Sequence, residues 1–246
     1  MLKEGGYTKD YSTNNISNLT LYIMIIMVFS SMVFLSVFLP ITFLLYLLIP
    51  TLKFKNYFLI GVSLIFYAYG EPIYVFLMIG SSFMNYLFGK AIYANREYAK
   101  RWVAISVICN IVILGTFKYV PFFVMTVNSI FGISVLVPDI TLPIGISFFT
   151  FQAMSYVIDV YREPEMKQGK FSNVLLYISF FPQLIAGPII KYYEIQKEID
   201  NRQFRWDKAS LGIRRFIAGL TKKVLISNTL AYVADQTFGL QSGGGA

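Results

Sequence analysis

Gln152, Ser155, Tyr156, Asp159 and Arg162 are the residues of this sequence whose types and spacing could do chemistry together. On a helix they fall at i, i+3, i+4, i+7 and i+10, which stacks them on one face. A carboxamide and a phenol can orient a carbonyl or a hydroxyl, a carboxylate can accept a proton, and a guanidinium can hold an anion. The rest of the stretch is apolar. Such a stripe is read equally well as helix-to-helix hydrogen bonding in a bundle or as the lining of a passage. Asp159 with Arg162 three residues on suits a charge-neutralising pair at a helix end better than a catalytic dyad.

A second set follows an uncharged segment that reaches Phe180 and Phe181. Pro182, Gln183, Gly187 and Pro188 come next; the prolines remove helical hydrogen bonds and the glycine loosens the backbone. At membrane depth a chain does this only where protein or a water-filled cavity surrounds it. These four residues and the polar face of the first segment are the candidate lining of a tunnel. The sequence has no histidine, which removes the commonest acid/base group and the commonest metal ligand and leaves carboxylates, Lys, Tyr and one thiol. It also has no Gly-rich phosphate loop, no Ser/His/Asp set and no metal-ligand cluster.

The elements that must position these residues belong to a membrane protein. Hydrophobic residues make up 56% and charged residues 14%, and the mean hydropathy is +0.60, far from a soluble domain's balance. The net charge of +8 reads as Lys and Arg of cytoplasmic loops, with no nucleic-acid partner implied. Cys109 is the one cysteine, so no disulfide forms within the chain. The expected fold is all-α: a polytopic membrane helical bundle with re-entrant or broken helices, placed in the cell membrane as a multi-pass protein.

Residues 1–26 read as a disordered tail or short extension, without the layout of a secretory signal. Asn15 and Asn18 each open a weak glycosylation sequon. Met27 begins a run like a natural start, residues 27–240 form the membrane domain, and residues 241–246 are a Gly-rich tail that reads as loop. Residues 19–50 exceed the roughly 20 needed to cross a bilayer, with Pro40 able to kink them. Residues 56–70, 72–89 and 102–117 are three further apolar runs, the first extendable if Lys55 snorkels. Counting Lys and Arg puts the loops at Lys53 and at Lys90 to Arg101 in the cytoplasm, and the Glu71–Pro72 turn and the amino terminus outside. Residues 119–138 read as a span, a re-entrant loop or an interfacial helix. The charge rule favours a version that does not cross, because residues 140–160 then cross inward and deliver Arg162, Lys167 and Lys170 to the cytoplasm.

Residues 211–238 read as an amphipathic helix with Ile213, Phe216, Ile217, Leu220 and Val224 on one face. Arg215 and Lys222 lie opposite, and Lys223 falls beside the apolar face. One reading of the helix is an interface-lying element whose basic face touches anionic lipid headgroups. The other is that Arg214, Lys222 or Lys223 steers the phosphates of an acyl donor.

The runs LPIGISFFTFQ from Leu142, YVIDVYR from Tyr156 and FFPQLIAGPI from Phe180 resemble the membrane-bound O-acyltransferase family, and within it the alginate O-acetyltransferase branch. Several long motifs occur in the family's order, from about Met27 to the end, and correspond to its amino-terminal half. The resemblance implies a helical bundle around a funnel that moves an acyl group from a coenzyme A or acyl-carrier thioester, with no cofactor bound, to a hydroxyl of an exported glycan. It also implies membrane lipid and an extracytoplasmic acyl-transfer protein as partners. The family's base is a histidine of its downstream half, so this chain is expected to hold the walls of a site without its base and to be inactive alone. A non-enzymatic scaffold or half-protein, and a transporter of an anionic lipid-linked substrate, are the alternatives.

Overall fold

The structure is a computed structural model that describes residues 31–243, except residues 139, 165, 167, 168, 185 and 186. The amino-terminal tail with its two sequons, the Met27 start, the first part of the 19–50 run, Lys167 and residues 244–246 lie outside the described residues.

Every regular element among the described residues is helical. The first, α1 (Phe34–Leu48), opens with a wide π-type turn over Phe34–Phe38. Pro40 follows that turn and has no N–H to return to the preceding carbonyls; one extra residue per turn is a usual way for a helix to absorb such a break. There follow α2 (Leu52–Gly70), α3 (Tyr74–Ala94), α4 (Ala99–Phe131), α5 (Ile146–Arg162), α6 (Phe171–Ser179), the single turn α7 (Phe181–Leu184), α8 (Tyr192–Asn201), α9 (Trp206–Lys222) and α10 (Asn228–Gly243). A wide turn at Lys223–Ser227 makes α9 and α10 continuous. The helix reaches Gly243, so residues 241–243 of the expected Gly-rich loop are helical instead.

Among the described residues, α3 and α4 are long and apolar enough to cross a membrane, and α1 is a shorter apolar helix. The expected division of α4 does not occur. Residues 102–117 and 119–131 form one helix through Pro121, because a membrane-type helix tolerates an internal proline where neighbouring groups satisfy the backbone. Its 33 residues make it about 50 Å long, against a hydrocarbon core of about 30 Å. Lys118, exposed, lies within this one helix, and neither a re-entrant loop nor a separate interfacial helix forms over residues 119–131.

The helix at the centre is α5, packed against α3, α4 and α6. Gly145 starts it in the left-handed conformation, φ 77°, which a residue with a Cβ adopts at a cost. The Tyr74 hydroxyl donates to Thr141 O at 3.0 Å, and the Ile144 N–H donates to Glu71 Oε1 at 3.2 Å. At the far end, Arg96 Nη1 donates to Val160 O at 2.8 Å. Thus α5 runs alongside α3 in the same direction and opposite to α4, and Arg96 and Arg162 share a side. This is the arrangement in which residues 119–138 do not recross.

Buried polar pairs fasten the bundle. Asn110 Nδ2 on α4 donates to Asn85 Oδ1 on α3 at 2.8 Å, and Asn85 Nδ2 donates back to Asn110 Oδ1 at 3.1 Å. Ser106 Oγ also donates to Asn85 Oδ1, at 3.0 Å. All three side chains are fully buried, where an unmade hydrogen bond would leave a desolvated polar group.

Candidate functional site: a broken helix beside an apolar cavity

The uncharged segment after Lys170 does not continue as one helix. Ser179 ends α6, Phe180 takes an extended ψ of 110°, and Phe181–Leu184 form one turn. The prolines explain the break: Pro182 has no N–H to give, and Pro188 pushes the residue before it out of the helical region. The freed groups find partners. The Phe181 N–H donates to Ser63 Oγ on α2 at 3.2 Å, and Gln183 Nε2 donates to Pro188 O at 2.9 Å. Gly187 fits because a Cβ there would lie 2.8 Å from Gln183 Cα.

Beside this break is a cavity of about 570 Å³. Pro182, Gln183, Gly187 and Pro188 line one side of it, α1 contributes Leu39, Thr42, Phe43 and Tyr46, and α8 contributes Glu198 and Ile199, with Arg202 just beyond. Most of the wall is aliphatic or aromatic.

The other candidate residues lie elsewhere. Gln152 and Tyr156 are buried in the seams of α5; Gln152 Nε2 donates to Tyr177 O on α6 at 2.7 Å. The Ser155 side chain is hydrogen-bonded to that of Tyr177. The Tyr156 ring stands edge-on to Tyr192, with centroids 4.9 Å apart, and its hydroxyl faces Gly89 of α3. Asp159 accepts from the Tyr192 backbone N–H at 2.6 Å. The expected Asp159–Arg162 pair does not form: among the described residues the ion pair is Arg205–Asp207 at 2.6 Å, and Arg162 is exposed. Asp159 points instead toward the chain that returns from the break, while Arg162 ends the helix on the other side of Val160. None of Gln152, Ser155, Tyr156, Asp159 and Arg162 lines the cavity.

Arg214 and Lys222 on α9 are exposed and Lys223 is partly buried. The helix is as amphipathic as its sequence, yet nothing on α9 is buried; Ile213, Phe216, Ile217 and Val224 all face outward. At its start the Arg205 guanidinium hydrogen-bonds Asp207 and holds that carboxyl below the usual carboxylate range.

Tyr46 and Arg202 were not among the candidates. Arg202 Nε donates to the Tyr46 hydroxyl at 2.6 Å across 156 positions of sequence. No periodicity links two positions so far apart; the only signal was an arginine closing a charged segment.

The profile of MBOAT, the membrane-bound O-acyltransferase family, matches residues 41–239. The chain belongs to that family. Its relatives include the probable alginate O-acetylase AlgI of Pseudomonas syringae pv. tomato, 40% identical over 223 residues that cover 88% of this chain and 43% of the relative. The AlgI of Azotobacter vinelandii is 38% identical, covering 87% of this chain and 44% of the relative. The peptidoglycan O-acetyltransferase of Helicobacter pylori is 31% identical, covering 87% and 47%. The chain therefore spans less than half the length of these relatives. No solved structure matches it. The matched membrane-bound O-acyltransferase segment takes in the break, every residue of the cavity wall but Leu39, and the three cations of α9 and its following turn.

Proposed function

We propose that this chain supplies the walls of a membrane O-acyl-transfer site that moves an acetyl or other acyl group from a coenzyme A or carrier thioester to a hydroxyl of an exported polysaccharide or cell-envelope glycan. The supporting observation is the break at residues 180–188 opening onto a cavity, in a chain similar over most of its length to O-acetylating enzymes of alginate and peptidoglycan. In the transfer, a base takes the proton of the acceptor hydroxyl, the oxygen attacks the thioester carbonyl, and the thiolate leaves. Donors beside the carbonyl oxygen stabilise the intermediate. Gln183 sits on the wall as a carboxamide able to do so; Pro182, Gly187 and Pro188 hold the wall open. Behind it, Gln152 and Ser155 fasten α5 to α6, Tyr156 packs α5 against α3 and Tyr192, Asp159 holds the start of α8, and Arg162 ends that face.

The base is a histidine outside these 246 residues, which contain none, and the chain alone is inactive. Arg214, Lys222 and Lys223 steer the donor's phosphates on the basic side of a multi-pass fold in the cell membrane. An extracytoplasmic acyl-transfer protein is its partner on the other side.

The test is transfer of labelled acetyl from acetyl-coenzyme A to polysaccharide in membranes carrying this chain, with and without the complementary carboxy-terminal half of the P. syringae relative. Ester formation only with both halves is expected. Ester formation by this chain alone would overturn the assignment of the base, and glycan movement without thioester consumption would favour a transporter.

A further inference from the structure

The cavity is far larger than an acetyl group requires. Its volume of about 570 Å³ lies in the range that encloses drug-sized ligands, and Phe43, Leu59, Leu176, Phe180 and Ile195 give it hydrocarbon walls. One edge is cationic. Arg202 lines it, partly buried, with Nε committed to the Tyr46 hydroxyl; its guanidinium carbon lies 5.3 Å from the Tyr46 ring centroid, and Lys55 Nζ lies 4.8 Å from the same centroid. Arg202 Nη2 is buried with no hydrogen-bond partner among the described residues. Glu198 shares the lining but is exposed and makes no ion pair with Arg202.

A desolvated guanidinium nitrogen without an acceptor is costly, and a planar guanidinium matches phosphate oxygens in charge and geometry. Arg202 beside the Tyr46 phenol at the edge of a hydrocarbon-walled pocket, with Lys55 against the same ring, complements a molecule with an anionic phosphate at one end and an alkyl chain behind it. We propose that this cavity is a binding site for an anionic membrane phospholipid, with one acyl chain along Phe43, Leu59 and Phe180 and the phosphate at Arg202. The lipid seals the side of the broken helix that faces α1. The acyl-transfer reading sets its donor against the Gln183 wall of this same cavity, so the two occupants compete for it, and competition by acetyl-coenzyme A separates the two readings.

The experiment is native mass spectrometry of the 246-residue chain released from nanodiscs containing equal amounts of phosphatidylglycerol and phosphatidylcholine. Retention of phosphatidylglycerol in preference to phosphatidylcholine is expected. Arg202→Gln should lower retention about tenfold or more, the effect of losing a charge-assisted contact, while Arg202→Lys should keep most of it. Phe43→Trp, which narrows the apolar end and leaves the cations in place, should lower retention of both lipids. Equal retention of the two lipids, or none of either, would overturn the proposal; the latter would leave a second copy or another part of the chain as the occupant. Unchanged retention in both Arg202→Gln and Phe43→Trp would also overturn it. So would release of the lipid by acetyl-coenzyme A, which would assign the pocket to a phosphate-bearing acyl donor.

Discussion

The backbone N–H of Tyr192 reaches back 33 residues to donate to Asp159 Oδ2 at 2.6 Å. This bond ties the chain emerging from the break at residues 180–188 to the central helix, and so fixes where the far wall of the cavity begins. The Tyr192 ring, also buried, packs edge-on against Tyr156 and Tyr177.

Asp159→Ala leaves that buried N–H without an acceptor, at a cost of about 1–3 kcal/mol. Asp159→Asn keeps an acceptor oxygen at the same reach and should cost less. The order Asn above Ala in thermal unfolding of the detergent-solubilised chain checks this, and equal midpoints would mean that the carboxylate holds nothing.

The tyrosines of the cluster should differ in their response to losing a hydroxyl. Tyr177 donates to Ile190 O at 2.6 Å, so Tyr177→Phe removes a made hydrogen bond, worth about 1 kcal/mol. The Tyr192 hydroxyl is buried and has no hydrogen-bond partner among the described residues. Tyr192→Phe should therefore be neutral or stabilising, since it removes a desolvated group that gains nothing in the fold. The same unfolding measurement compares the two.

These contrasts show where the sequence speaks and where it is silent. The i, i+3, i+4, i+7 spacing of Gln152, Ser155, Tyr156 and Asp159 defines one face of α5, because helix geometry alone sets it. The break at Pro182 and Pro188 is legible too, since a missing N–H acts locally. What each polar group meets is a different matter. Gln152 finds a carbonyl of α6 and Asp159 an amide 33 positions on, and both turn inward to neighbours instead of toward the cavity. The Asn85–Asn110 pair and the Tyr46–Arg202 contact depend on which helices lie side by side, which periodicity does not encode. Lys118 looks like the end of a span, yet α4 continues through it and through Pro121, because a single charge does not end a helix.

Gly89 and Gly80 lie on the same helix and should answer oppositely to a methyl group. A Cβ at Gly89 would lie 2.5 Å from the Tyr156 hydroxyl and 2.8 Å from its ring, whereas one at Gly80 meets nothing within 4 Å. Gly89→Ala pushes the buried Tyr156 out of the α3–α5 seam, at about 1–3 kcal/mol for overpacking. Gly80→Ala relieves the entropy cost of a helical glycine and should raise stability by about 0.5–1 kcal/mol. Midpoints that move the same way in both variants would place the α3–α5 contact elsewhere.

Asn85 and Asn110 allow a cycle that separates a made bond from an orphaned one. Asn110→Leu alone takes one partner from each end of the Asn85 amide, which keeps Ser81 O and the Ser106 hydroxyl; Asn85→Leu alone leaves Asn110 with Ser106 O and takes the acceptor from the Ser106 hydroxyl. Each single change should cost about 1–3 kcal/mol. The double change removes both amides and should cost clearly less than the sum, because neighbouring partners couple. Additive losses in the unfolding measurement would mean that the pair is not a unit.

Gln183 tests the wall itself. Its Nε2 closes the break by donating to Pro188 O at 2.9 Å, and the same side chain lines the cavity. Gln183→Glu keeps the length but loses the N–H donor and sets a carboxylate against a carbonyl; Gln183→Ala removes both size and donor. If the break shapes the acyl-transfer wall, both variants should lower the transfer rate in the complemented membranes by about tenfold, the equivalent of one lost hydrogen bond of ordinary strength. Gln183 is buried, so Gln183→Glu should also lower the unfolding midpoint, and the rate is compared per folded, inserted chain. A normal rate in both variants, with the chain folded and inserted, would separate the break from the chemistry and leave it a packing feature of the bundle.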